Sequence, residues 1–417
     1  MKFLRFLMPC VAVAMAVCIL TACSDDPKGI GSSTSQTADS LTAEANKVKF
    51  ESIGQKVVNQ FSNPQAHEEL LRAINDFCYL ADEYGLDVEK QGAYRATSAY
   101  WQTIGEICST NDITKTLSLT RTGGEFYRAA QYYGTYTYGN ERWAYAAGGQ
   151  SLKFQFMSPS MNKMVVIEMA CSGRETIVDG DDGDQIAIPE HAEAYLSVAG
   201  KTLATATVNA DLDDAAKTAH VTAKINADEF AFSGNFNATM QSGDAQFGLY
   251  RNNTMLVEGT GHVNGQRITD PTENDKDDPQ NMFNDGTASV NIMNEAWIEG
   301  SCSSVNQMVN EIVNADEVSS NSEELMKTRA NAFNKYMNVS VNYGGPAVAT
   351  LEAQAYTYGG PGGYEVWDWE MVIRFTSDGA GYSLDSYFDE NDAVFKNLID
   401  NYEELEDQYE EYLQDIL

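Results

Sequence analysis

Two periodicities divide the chain. Between about residues 42 and 109, apolar side chains return every three or four positions. The first set is Phe50, Ile53, Val57 and Phe61, and the second is Leu70, Leu71, Ile74, Phe77, Cys78 and Ala81. A third comprises Tyr94, Thr97, Trp101, Ile104 and Cys108. Each set falls on one helical face, and Asn63-Pro64 and Tyr84-Gly85 punctuate them, so the spacing predicts a bundle of three amphipathic helices. After Thr110 the period changes to two. Val165, Ile167, Met169 and Cys171 alternate with other residues, as do Ala204, Ala206, Val208, Ala210 and Leu212, then Val221, Ala223 and Ile225, then Phe230 and Phe232. Val339, Val341 and Tyr343, and Trp367, Trp369, Met371, Ile373 and Phe375, repeat the pattern later. These are half-buried antiparallel strands joined by short turns, with no helix-length gap between about 150 and 265 and so no crossover for a parallel sheet.

Helical spacing returns at about 303–316 and 321–335, where Ser320 and Glu323 form a capping box for the second helix. Phe395, Leu398, Tyr402, Leu405, Tyr409, Tyr412 and Ile416 then repeat at three and four residues, a heptad-like stripe. Its flanks from Asp400 onward are acidic without basic partners, which disfavours self-pairing and points to docking on the N-terminal helices. The fold class expected is α+β: a long antiparallel β-meander covered by an N-terminal helical bundle, an inserted helix pair and a C-terminal amphipathic helix. The segments run 42–110 helical, 111–300 meander, 301–336 inserted helices, 337–388 further strands and 389–417 heptad helix.

The first residues carry a different message. Lys2 and Arg5 precede an apolar run, Phe6 to Leu20, that is short for a membrane span of about twenty residues but suits a signal peptide. It ends in Leu20-Thr21-Ala22-Cys23, which resembles the lipobox of bacterial lipoproteins. The resemblance implies cleavage after residue 22 and acylation of Cys23, hence a membrane partner through the lipid. Ser24-Asp25-Asp26 resembles the acidic export signal of surface-exposed lipoproteins in Gram-negative bacteria, implying an outer-membrane location facing the cell exterior. Residues 23–41 are rich in Ser, Thr, Gly and Asp and read as a flexible tether. Within them Asp39-Ser40-Leu41 resembles an O-glycan acceptor, with Ser40 the modified residue.

Charge narrows the partners. With 27 basic against 61 acidic residues the formal net charge is −34, and a field of that sign repels phosphate backbones, so no nucleic-acid partner is expected. Beyond Cys10, Cys18 and Cys23, four cysteines remain, Cys78, Cys108, Cys171 and Cys302; in an oxidising compartment they permit three pairings or four thiols. A Cys78–Cys108 bond is disfavoured, because on straight antiparallel helices the two lie too far apart along the axis.

Catalytic constellations are not found. His67, His191, His220 and His262 lack metal-site spacing and read as surface residues, and Gly200-Lys201-Thr202 lacks the earlier glycine of a phosphate loop. Ser160-Met161-Asn162-Lys163 has Ser-x-x-Lys spacing but follows Pro159 in a turn, and Asp368 and Glu370 share a strand face turned to solvent while Trp367 and Trp369 face the core. No cofactor is expected, apart from a weak calcium site at Asp179, Asp181, Asp184 and Glu190, whose spacing imitates a calcium loop with the central glycine out of place. The candidate ligand surface is the hairpin about Gly139-Asn140. A two-residue turn there pairs Tyr136 with Trp143 and Gly134 with Tyr145, gathering Tyr132, Tyr136, Trp143 and Tyr145 on one face, either as core or as a platform for sugar rings.

Gly134-Thr135-Tyr136-Thr137-Tyr138, Leu152-Lys153-Phe154-Gln155-Phe156 and Arg374-Phe375-Thr376-Ser377-Asp378-Gly379 resemble stretches of uncharacterised β-rich surface lipoproteins, a class that implies architecture and no activity. The function expected is a non-enzymatic binding or structural module with a glycan or protein ligand. A carrier of apolar ligands is the alternative, and a carbohydrate-active enzyme the third.

Overall fold

The computed structural model describes residues 42–84, 126–179, 185–213, 216, 218–239, 241–265, 284–316, 323–359, 365–377, 379–387 and 394–413. Six helices are assigned there: α1 (Ala43–Phe61), α2 (Glu68–Glu83), α3 (Val305–Asp316), α4 (Glu323–Tyr336), the short α5 (Leu384–Tyr387) and α6 (Lys396–Glu410). The strands are β1 (Phe126–Tyr127), β2 (Gly134–Tyr138), β3 (Trp143–Ala147), β4 (Leu152–Met157), β5 (Met164–Asp179), β6 (Gln185–Val198), β7 (Lys201–Asp213), β8 (Thr218–Ala227) and β9 (Phe230–Ala238). They continue with β10 (Ser242–Arg251), β11 (Thr254–Asn264), β12 (Asp285–Ile292), β13 (Ala296–Cys302), β14 (Met337–Asn342), β15 (Ala349–Gly359), β16 (Glu365–Phe375) and β17 (Gly381–Ser383).

From β4 onward each strand pairs antiparallel with the next, through to β17, even across the inserted α3 and α4. The purely antiparallel expectation needs two corrections. The β2–β3 hairpin projects to the edge, and the chain returns through Gly148 and Gly149, both at positive φ, to lay β4 parallel to β2. β1 also runs parallel to the first two residues of β6.

The alternation read from the sequence sets the core. Ala192, Val208, Ala210, Val221 and Phe236 form one buried cluster on β6–β9, and Leu256, Val257, Ala288 and Val290 another on β11–β12. Large and small residues interlock on this face. Phe247 lies between Gly234 and Gly259 in register, and a Cβ on Gly259 would stand 2.1 Å from the Phe247 ring. Glycine at 259 is therefore what lets the ring lie flat.

α1 and α2 meet the sheet chiefly along one end of its strands, where the sequence led to an expectation of helices covering a face. Successive hairpin turns touch successive stretches of the helices. The Lys49 ammonium lies over the Tyr343 ring, Lys56 pairs with Glu295, and Gln60 accepts from Arg251. His67 then meets Asp228, Glu69 meets Lys163, and Asp76 meets Ser158 and Ser160. The geometry matches: about forty residues at 1.5 Å rise span roughly 60 Å, close to twelve strands at about 4.8 Å. The helical segment is thus a strut across the row of turns.

α6 docks on α1: Leu398 fills the space left by Gly54, Asn401 donates to Gln55 at 2.9 Å and Tyr409 donates to the Phe61 carbonyl at 3.3 Å. Phe395 and Leu413, both buried, anchor its ends. α4 packs on β15 and β16 through Phe333 against Trp369, and the Asn334 amide bonds both backbone polar groups of Ala353. Cys302 is buried in a disulfide, whereas Cys78 and Cys171 carry thiols, which corrects the four-thiol alternative. The third helix expected over Tyr94 to Cys108, and Ser320 of the capping box, lie outside the described residues.

Candidate functional site

The aromatic hairpin buries Tyr136 and Trp143 and leaves the rest of its second strand exposed. Its loop holds four residues, not two, so the register shifts by two and pairs Tyr138 with Trp143, Tyr136 with Tyr145 and Gly134 with Ala147. A shift of two preserves which residues share a face, and Tyr145 still lies over Gly134. Trp143 and Tyr136 are 3% and 2% exposed, which gives these two the core alternative, while Tyr145 is 38% exposed. Trp143 donates its indole N–H to the Leu80 carbonyl at 3.0 Å, and Phe77 of α2 packs edge-on to its ring. Tyr136 donates to the Tyr132 carbonyl at 3.2 Å, and burial pushes its phenol up to about 12. Tyr145, more open, donates to the Tyr133 carbonyl at 2.9 Å.

The residues of the calcium-like loop are described only in part. Asp179 pairs with Gln185 at the end of the β5–β6 hairpin, and Asp181 and Asp184 lie outside the described residues. Glu190 stands five residues beyond Gln185, roughly 17 Å along the strand at about 3.4 Å per residue. There it accepts the Arg174 N–H at 3.0 Å and pairs with its guanidinium at 3.2 Å. Among the described residues no group of three or more His, Cys, Asp or Glu is placed to hold a metal. Cys23, Ser24, Asp25, Asp26 and Ser40 are outside the described residues.

Two further readings gain geometry. Ser158 and Ser160 both donate to the buried Asp76 carboxylate, so the Ser-x-x-Lys stretch is a turn that holds α2. His67, read as a surface residue, is 7% exposed. Its Nδ1 lies 3.2 Å from Asp228 and its Nε2 3.5 Å from Glu229. Glu229 also receives Arg251 at 2.6 Å, and that guanidinium holds its carboxyl below the usual range. These groups tie α1 and α2 to the strand turns.

What remains for a ligand is the polar face. In register, Ser172, His191, Asn209, Thr222, Asn235 and Gln246 stand side by side from β5 to β10. Thr260, Ser289, Glu299, Ser340, Thr350 and Arg374 continue the row to β16. Strand spacing places neighbours roughly 5 Å apart, so side-chain bonds link them: His191 to Asn209 at 2.8 Å, Asn209 to Thr222 at 3.1 Å and Thr260 to Ser289 at 2.7 Å. A second row beside it pairs His220 with Asn237, Asn237 with Asp244 and Asp244 with His262. Nearer the turns, Ser151, Tyr195 and Lys153 donate to Glu168 and outweigh its burial, holding its carboxyl below the usual range.

Where the rows cross β9–β12, the surface dips into a cavity of about 250 Å³ whose lining includes Asn235, Asn237, Asp244, Gln246, Thr260 and His262. Asp244 lies 2.7 Å from His262 Nδ1, and Asn264 lies 3.2 Å from Nε2, so the ring is held on both sides. Gln246 donates its amide to Glu258 at 3.1 Å. The Asn235 carbonyl oxygen is buried without a hydrogen-bond partner. Apolar periodicity alone does not mark this site. The signal was the complementary register: Asn235 and Asn237, Asp244 and Gln246, Thr260 and His262 alternate with the core residues.

No family model matches this chain, and no curated protein matches it. Among solved structures, a porin-like protein from Bacteroides vulgatus is similar at 8% identity, over 59% of this chain and 90% of that one, with a TM-score of 0.15, a likeness that carries no argument. No helix among the described residues is long and apolar enough to cross a membrane.

Proposed function

We propose that the protein is a lipid-anchored, surface-exposed lipoprotein of an outer membrane that acts as a non-enzymatic binding module, using the polar face of its meander. The observation that carries the binding role is the unbroken row of hydrogen-bonding side chains from Ser172 to Arg374, raised on one face while the other is packed as core. The cell-surface location rests on Leu20-Thr21-Ala22-Cys23 and Ser24-Asp25-Asp26.

Two variants test the location. With Cys23→Ala, labelled fatty acid is no longer incorporated and the protein leaves the membrane fraction; continued labelling contradicts the anchor. Replacing Asp25 and Asp26 by alanine keeps the label but removes accessibility to protease added to whole cells. Unchanged accessibility contradicts the export signal.

A further inference from the structure

We infer that the cavity on β9–β12 is a binding site for one neutral sugar residue of a glycan, with the flanking polar row receiving its neighbours. The inference deepens the binding-module reading and rests on it.

The lining sets the chemistry. Amides from Asn235, Asn237 and Gln246, the Thr260 hydroxyl, the Asp244 carboxylate and the His262 ring converge within one cavity. Such a set offers donors and acceptors at close spacing, which suits a ligand with several adjacent hydroxyls, each of which both donates and accepts.

Other ligand classes fit less well. Neither Lys nor Arg lines the cavity, Asp244 does, and the whole chain carries −34, so a phosphate or sulfate meets repulsion without a counter-charge. Ala245 and Gly261 are the lining residues without a polar side chain, and their positions in register belong to the core face. The volume, about 250 Å³, lies below the roughly 300–1,000 Å³ of sites that enclose whole drug-sized ligands, so it suits a single ring with the chain continuing along the surface.

An apolar surface adjoins the polar one. On β10, Gln246, Gly248 and Tyr250 occupy the same face, and a Cβ on Gly248 would stand 2.5 Å from the Tyr250 hydroxyl oxygen. Glycine there lets the phenol lie down along the strand toward Gln246. Sugar rings present C–H faces as well as hydroxyls, and an aromatic ring beside a hydrogen-bonding cluster accommodates both.

The test uses the full chain in detergent micelles, with gluco-, manno-, galacto- and xylo-oligosaccharides as neutral probes, heparin as the anionic probe and palmitate as the apolar one. Saturation-transfer NMR detects contact and calorimetry gives Kd. At least one neutral probe binds, heparin and palmitate do not, and Asn235→Ala and Gln246→Ala each weaken binding about three- to tenfold with Tm unchanged. Lys396→Ala, on α6 and outside both the polar row and the cavity lining, leaves Kd unchanged. The inference is overturned if no neutral probe binds, if heparin or palmitate binds in their place, or if the two cavity variants bind as the parent does. Loss of protease accessibility on cells with binding retained in micelles counts against the location alone, so the two failures are separable.

Discussion

The two faces of the meander come from the same strands, one residue apart in register, and they are built on opposite rules. On one face Ala192, Val208, Ala223, Gly234, Phe247 and Gly259 follow each other across β6 to β11. Beside them on the other face run His191, Asn209, Thr222, Asn235, Gln246 and Thr260. The first row alternates small and large about Phe247, which sits between Gly234 and Gly259, as close packing requires. The second has no such alternation of size. Its members match in hydrogen-bonding capacity, which is what a surface needs when its partner is a ligand with polar groups. The difference teaches that in this sheet stability and recognition are separable by a single residue step.

The largest way to break that division is to empty the packed face. Phe236, 4% exposed, sits between Val221 and Ala245 in register, and Phe236→Ala should cost about 3–5 kcal/mol in denaturant unfolding, with the polar face untouched. Overfilling the same face tests it from the other side. Gly259→Ala drives a methyl into the Phe247 ring and should cost about 1–3 kcal/mol by the same assay.

The seam between the strut and the turns is next. Arg251 bonds the Gln60 carbonyl and Glu229 at once, both side chains mostly buried, and Arg251→Met should cost about 1.5–3 kcal/mol. The same pair predicts a pH dependence. Arg251 holds the Glu229 carboxyl below its ordinary value of 4.5, so the folded state gains stability above that pH and loses it as the pH falls below. Acid unfolding of Arg251→Met should therefore be shallower below pH 4.5 than that of the parent. At the alkaline end the sign reverses. Burial raises Tyr136 from 10.0 to about 12, so its contribution is complete below pH 10.0 and fades as the pH rises toward 12. The smallest effect is expected at Lys56 and Glu295, whose paired side chains are 47% and 36% exposed; Lys56→Ala should change stability by less than about 1 kcal/mol.

Much of the packed face was legible in the sequence because burial leaves a period. Val165, Ile167 and Met169 alternate on β5, and Leu70, Ile74 and Phe77 return at helical spacing on α2. The hairpin register was not legible, since the choice between a two-residue and a four-residue loop at Gly139–Arg142 depends on how Tyr138 and Trp143 pack against Tyr84 and Phe77. The position of α1 and α2 along the strand ends was hidden for a similar reason. An amphipathic stripe tells which face is buried and not what it meets. His67 looked like a surface residue because its carboxylate partners, Asp228 and Glu229, are 161 and more positions away. The cavity was the least legible part, because polar alternation in a strand reads the same whether the side chains meet water or a ligand.

The division between the two faces is tested most directly by removing the centre of the polar row at once. The variant carrying Asn235→Ala, Gln246→Ala and Thr260→Ala is unfolded in urea beside the parent chain, and the midpoint and slope are compared. If the row is kept for recognition, the three changes together cost about 1 kcal/mol or less and the slope is unchanged, since exposed cross-strand pairs contribute little each. A loss of about 3 kcal/mol or more, comparable to Phe236→Ala, would show that the polar row holds the sheet together and would contradict the account.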